Sequence, residues 1–133
     1  MKKISIVIPM YFEEEVAKEC YSRTKKVLIG LEKYEHEIIF VNDGSKDRTL
    51  EILEEIADKD KKVKVISFSR NFGHQAAVTA GLKYTTGDAV AIMDADMQDP
   101  PEVIIEMIKL WEDGNEVIYA KGKREKVRLN LSF

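Results

Sequence analysis

Short apolar runs alternate along this chain with stretches in which apolar residues recur every three or four positions. Ile4–Ile8 is an apolar-rich run that stops at Pro9, as a strand buried on both faces would. From Glu14 to Leu31, Val16, Cys20, Val27, Leu28 and Leu31 fall at helical spacing. Acids stand at the start of this stretch and lysines toward its end, which suits a helix dipole. Gly30 weakens the last turn. Ile38–Val41 predicts a second strand, and Asp43-Gly44-Ser45 a turn. Ser45 or Asp47 can then cap a helix carrying Leu50, Leu53, Ile56 and Ala57. Val63–Ser67 reads as a third strand with a more alternating pattern. After a loop through Asn71-Phe72-Gly73, the residues Ala76, Ala77, Ala80, Gly81 and Tyr84 mark a helix with a small-residue face. Gly87 opens the apolar run Ala89–Met93. A helix after Pro101 buries Val103, Ile104, Met107, Ile108 and Trp111 and ends at Gly114. Val117–Tyr119 is the predicted fifth strand.

The order βαβαβαβαβ predicts the α/β class: a parallel-sheet sandwich, Rossmann-like, with helices on both faces. The polar loops Pro9–Glu13, Asn42–Asp47, Ser69–Gly73 and Asp94–Asp99 all follow strands. They therefore emerge at one edge of the sheet, where open α/β sheets bind ligands. The 133 residues make one domain, and a hydrophobic fraction of 44% supplies a core. The formal net charge of −3 gives no basic field for nucleic acid. Cys20, the single cysteine, falls on the apolar face of the first helix, where it packs, and no internal disulfide is possible. That composition fits a reducing, cytoplasmic setting. No run approaches the roughly 18–20 apolar residues needed to span a bilayer. The N-terminal run is not read as a signal peptide, because it breaks at Pro9 and meets Glu13-Glu14-Glu15. The segment from Lys121 carries Lys121, Lys123, Arg124, Lys126 and Arg128 against Glu125. It reads as a solvated basic tail, or as a membrane- or phosphate-facing segment.

The chemistry concentrates at Asp94-Ala95-Asp96-Met97-Gln98-Asp99, between the fourth apolar run and Pro100-Pro101. Two carboxylates this close at a strand end repel each other, and burial penalises each. A divalent cation relieves both problems. Oxygen ligands suit Mg²⁺ or Mn²⁺, which take further coordination from substrate phosphates. Asp99 also reads as a helix N-cap, with Pro101 in the first turn. Asp43 can accept hydrogen bonds from a ribose or a base, with Gly44 allowing close backbone approach; it also reads as an ordinary Asx turn. Arg70 can pair a phosphate or a loop carboxylate. His74, at a helix start, is given a structural role, and His36 reads as an exposed turn residue. There is no G-x-G-x-x-G after the first strand and no G-x-x-x-x-G-K-[ST], which disfavours dinucleotide and P-loop chemistry.

Four segments in order, Val7-Ile8-Pro9-Met10-Tyr11-Phe12-Glu13-Glu14, Phe40-Val41-Asn42-Asp43-Gly44-Ser45-Lys46-Asp47, Ser69-Arg70-Asn71-Phe72-Gly73-His74 and Asp94-Ala95-Asp96-Met97-Gln98-Asp99-Pro100-Pro101-Glu102, resemble the family-2 inverting glycosyltransferases. The nearest branch is the polyisoprenyl-phosphate one, with dolichol-phosphate mannose synthases and bactoprenol glucosyltransferases. The resemblance implies the nucleotide-binding half of a GT-A fold. Residues 1–120 would form the nucleotide-sugar-binding domain, and 121–133 a basic tail beginning the acceptor region. By position, Pro9, Tyr11 and Glu13 would line the nucleoside pocket, and Asp43 would hold base or ribose. Asp94, with Ala95 beside it, would orient ribose or metal. Asp96, helped by Gln98, would ligate Mg²⁺ or Mn²⁺ on the diphosphate of a UDP- or GDP-linked sugar. Arg70 and the segment Lys121, Lys123, Arg124 are the candidate phosphate contacts. The acceptor implied is a polyisoprenyl phosphate at the inner face of the membrane. Family members generally run past the equivalent of Phe133, so the chain reads as lacking the acceptor half, and its cut sheet as a surface for self-association. Two alternatives stand beside this reading. One is a nucleotide-sugar-binding module without transfer activity. The other is a phospho-receiver domain, which needs an Asp after the third strand, where this chain has Ser67-Phe68-Ser69-Arg70.

Overall fold

The computed structural model describes residues 1–96, 98, 100–114, 117–118 and 129–131. The elements are β1 (Lys3–Met10), α1 (Ala17–Gly30), β2 (Glu35–Asn42), α2 (Thr49–Lys59) and β3 (Val63–Ser67). They continue with α3 (His74–Lys83), β4 (Ala89–Ile92), α4 (Val103–Glu112), β5 (Val117–Ile118) and β6 (Leu129–Leu131). The sheet runs β3-β2-β1-β4-β6-β5. The first four in that order are mutually parallel, as the alternation of runs and helices predicts, and β6 pairs antiparallel with both β4 and β5.

β1 is the centre of this sheet, and alternation along it divides the core in two. Ile4, Ile6, Ile8 and Met10 face α1, α2 and α4, in one cluster with Cys20, Leu28, Leu53, Ile104 and Ile108. Val7 faces the other way, with Ile39, Val41, Val90 and Ala77 of α3. The small-residue face of α3 has its reason here: a Cβ on Gly81 would lie 2.4 Å from Val7 Cγ1. Burial also pushes the Cys20 thiol up to about 12, so it stays an inert packing group.

Three differences from the sequence pattern have plain physical causes. β2 begins at Glu35 rather than Ile38, because its first residues pair with β1 in register Lys3↔Glu35, Ile4↔His36 and Ser5↔Glu37. His36 is therefore buried in a strand, not exposed in a turn. α1 begins at Ala17, since the amides of Val16 and Ala17 both donate to the Glu13 carbonyl and hold 13–16 in a turn. β6, within the segment read as a basic tail, lies between β4 and β5, so β5 is the edge rather than the neighbour of β4.

Candidate functional site

The loops after β1, β2, β3 and β4 meet, as their position in the pattern predicts, around a cavity of about 390 Å³. It is lined by residues of all four: Pro9, Tyr11 and Glu13; Asp43; Asn71, Gly73 and His74; Asp94, Ala95 and Asp96, with Met10 at its floor. Every candidate nucleoside residue thus comes to one place.

Hydrogen bonds stitch the loops together. Phe12, held at φ 54°, donates its N–H to Ser45 Oγ at 2.9 Å. Glu13 N–H donates to Thr49 Oγ1 at 2.9 Å, and that hydroxyl donates to Asp47 Oδ1 at 2.6 Å. Asp47 also accepts the Thr49 N–H at 3.0 Å, but the N-cap position of α2 is Arg48, so neither Ser45 nor Asp47 occupies the cap the sequence suggested. Asn42 accepts Ser45 N–H at 3.2 Å and donates to Ser67 Oγ at 3.1 Å. Side chains of β2 and its following loop therefore fix the neighbouring loops on both sides.

Electrostatically the cavity is acidic. Glu13 has its carboxyl raised, first by burial and then by the charges of Asp96, Asp47 and Asp94. Asp94 and Asp96 are exposed, with Ala95 between them buried. Asp96 Oδ1 accepts the Gln98 N–H at 3.2 Å, which fixes the turn beyond β4. This donor set fits a hard divalent cation: oxygens only, a carboxylate pair at the mouth, and a third carboxylate that already feels both charges. Among the described residues no three His, Cys, Asp or Glu side chains are close enough to hold a metal alone. Phosphate and water oxygens would complete such a shell.

The remaining candidates are distributed differently. Gln98 lies on the turn but does not line the cavity. Arg70 is exposed and outside the lining, its guanidinium stacked 4.1 Å over the Phe72 ring. Lys121, Lys123, Arg124 and the N-cap candidate Asp99 lie outside the described residues. Asn71 also lines the cavity, its side-chain amide donating to Asp43 Oδ2 at 3.1 Å, and sequence spacing did not mark it. The signal available was its place just before Gly73, whose φ is +102°.

The acid-lined cavity thus lies at the carboxyl ends of a parallel α/β sheet, where open sheets of this kind bind ligands. Residues 5–130 match Glycosyl transferase family 2, and the chain belongs to that family. It is 54% identical over 122 residues to the uncharacterized glycosyltransferase YkcC of Bacillus subtilis, covering 92% of this chain and 38% of that protein. It is 47% identical over 119 residues to the bactoprenol glucosyl transferase of Shigella phage SfX, covering 90% and 39%. The chain thus spans under two-fifths of these relatives. Among solved structures, the mannosyltransferase PcManGT of Pyrobaculum calidifontis, in complex with GDP-Man and Mn²⁺, shares the fold with TM-score 0.74 at 19% identity, over 88% of this chain and 34% of that one. S. aureus TarS 1-349 in complex with UDP matches with TM-score 0.71 at 25% identity, over 86% and 34%.

Proposed function

We propose that this chain is the donor-binding half of a metal-dependent inverting glycosyltransferase. Its donor would be a UDP- or GDP-linked sugar, its acceptor a polyisoprenyl phosphate. The observation that carries the reading is the convergence of Pro9, Tyr11, Glu13, Asp43, Asp94 and Asp96, from loops after β1, β2 and β4, on one acid-lined cavity. An acidic cavity repels a bare diphosphate. It favours one that arrives with a divalent cation; the Glu13 carboxyl is raised by burial and then by its acidic neighbours, a repulsion such a cation would relieve.

In this reading Pro9 and Tyr11 form the nucleoside wall. Asp94 and Asp96, with Gln98 shaping the turn, hold Mg²⁺ or Mn²⁺. When bound, that ion neutralises charge on the departing nucleoside diphosphate. The acceptor oxygen bonds to the anomeric carbon as the bond from that carbon to the diphosphate breaks on the opposite face, inverting the configuration. A phosphate acceptor is already largely ionised near neutral pH, so transfer asks little of a protein base. The lipid acceptor is supported by the bactoprenol glucosyl transferases among the relatives at 45–47% identity. Among the described residues no helix is long and apolar enough to cross a membrane.

Titration calorimetry with UDP and GDP, each with and without Mn²⁺, tests the donor site. Metal-dependent binding of one nucleotide is expected, and no binding of either would overturn the reading. A transfer assay to polyisoprenyl phosphate then separates an active half-enzyme from a module that binds donor without transferring it.

A further inference from the structure

At the other end of the sheet, where β1, β2 and β3 begin, lies a second pocket of about 240 Å³. Its wall carries Lys3, Lys61, Lys62 and Lys64 against the carboxylates of Glu35 and Glu37, with His36 completing it. β1 is eight residues long, so roughly 20–25 Å of strand separates this pocket from the acid-lined cavity. Glu37 is buried, and its charge is met by Lys64 Nζ at 2.9 Å and Lys3 Nζ at 3.5 Å. Those two lysines are committed within the protein. Lys61 and Lys62 are different: both are exposed, and neither ammonium has a partner among the described residues. Their turn is fixed, because the Lys62 N–H donates to Asp60 Oδ1 at 3.0 Å and the Lys62 carbonyl accepts the Ile38 N–H at 2.9 Å. The exposed Glu35 is the wall's remaining carboxylate, so two uncommitted ammoniums stand against one acid.

His36 adds a neutral donor. Lys25 Nζ is paired with Asp60 at 2.9 Å, which keeps it protonated, and it lies 2.7 Å from His36 Nε2. An ammonium only donates, so Nε2 accepts and the proton of the neutral ring is on Nδ1. That N–H has no partner among the described residues and stays open to solvent, on a residue of the pocket wall. The charge of Lys62 reaches the same ring, since after burial and Lys25 it is the next cause that lowers His36. We propose that this pocket binds a phosphate group carried as a phosphomonoester: the Lys61 and Lys62 ammoniums supply the charge, and His36 Nδ1–H supplies a fixed donor. A phosphomonoester presents three acceptor oxygens and close to two negative charges, which suits three donors of this kind. A ligand held here is too far from the acid-lined cavity to take part in transfer.

Glycerol 3-phosphate, titrated without divalent metal at constant ionic strength and followed by proton–nitrogen NMR, tests the pocket. A saturable shift of the His36 Nδ1–H and of the Lys61 and Lys62 amides is expected, with the Asp94–Asp96 loop unmoved. Lys62→Gln should raise the Kd about fivefold or more, with the melting temperature of the free chain unchanged. Lys59→Gln removes an equally exposed charge from α2 but none from the wall, and should leave the Kd within about twofold. Equal weakening by the two variants would show a diffuse positive field and overturn the pocket. Lysine shifts with an unmoved His36 resonance would overturn it too, as would the absence of any saturable shift. Flotation with vesicles containing phosphatidic acid assigns the source of the group. Capture that glycerol 3-phosphate competes away places it on a lipid, and no capture places it on a soluble ester. None of these measurements uses nucleotide or Mn²⁺, so their outcome is independent of the donor site.

Discussion

At the amino end of the sheet, the buried carboxylate of Glu37 accepts from Ser5 Oγ at 2.6 Å and Thr86 N at 2.7 Å, with Lys64 Nζ 2.9 Å and Lys3 Nζ 3.5 Å away. Burial would raise its carboxyl, but the bonds from Ser5, Thr86 and Lys64 and the charge of Lys3 outweigh it and bring the value to about 2. Elsewhere Asp60, at the end of α2, accepts from Tyr21 at 2.7 Å and pairs with Lys25 at 2.9 Å, both of α1, and these partners overcome burial and bring it to about 2 as well. At the carboxyl end, Glu13 is raised by burial first and then by the charges of Asp96, Asp47 and Asp94. The same residue type is satisfied at one end and frustrated at the other. Acid content alone therefore does not mark the site. The mark is carboxylates that raise one another, in a cavity open to a ligand that could bring a cation.

The largest effect that would break this contrast is at the site. Asp96→Ala should abolish the metal-dependent part of nucleotide binding while leaving the fold intact; calorimetry showing parental affinity with Mn²⁺ would remove the residue from the metal site. Next, Glu37→Ala should destabilise the chain by about 1–3 kcal/mol, because it takes the acceptor away from the Ser5 hydroxyl and the Thr86 N–H, while the partly exposed Lys3 and Lys64 are rehydrated. Urea unfolding measures this, and a loss under about 1 kcal/mol would mean that the network is solvated.

The pH dependence follows with a definite sign. His36 is lowered to about 4 by burial and then by Lys25 and Lys62, and Lys25 Nζ donates to its Nε2 at 2.7 Å, which requires a neutral ring. The unfolded chain takes up this proton first. Stability is therefore full above about 6.5 and falls as pH drops toward 4. Glu37 and Asp60 have folded values below their unfolded ones, so their contribution is present above about 4.5 and 3.8 and is lost toward about 2. Thermal melts between pH 8 and pH 3 should show the amino-end network failing in acid, and His36→Gln should flatten the upper part of that decline. The smallest effect is Tyr21→Phe, which removes one hydrogen bond to Asp60 and should cost about 1 kcal/mol in the same urea assay.

Much of this was legible in the chain itself. The apolar runs marked each parallel strand, Gly81 announced the close approach of α3, and the strand-end position of Asp43, Asp94 and Asp96 brought them to one edge. The polar opening of β2 was not legible. Glu35-His36-Glu37 reads as a turn, and its pairing with the start of β1 and its lysine partners are long-range facts that no local window contains. β6 was missed because a short antiparallel strand beside β4 leaves almost no periodic signal. Asn71 was missed because the bond that holds it at the cavity wall runs to Asp43, 28 residues earlier.

A thermal-shift panel of UDP, GDP and ADP, each with and without Mn²⁺, tests the central claim most directly. A ligand at about 100 times its Kd should add roughly 2.7 kcal/mol of stability. One nucleotide raising the melting temperature only with Mn²⁺ is the expected result, and it would also identify the base. A shift of equal size with and without metal would contradict a site built on uncompensated carboxylates, and no shift with any nucleotide would contradict the donor site itself.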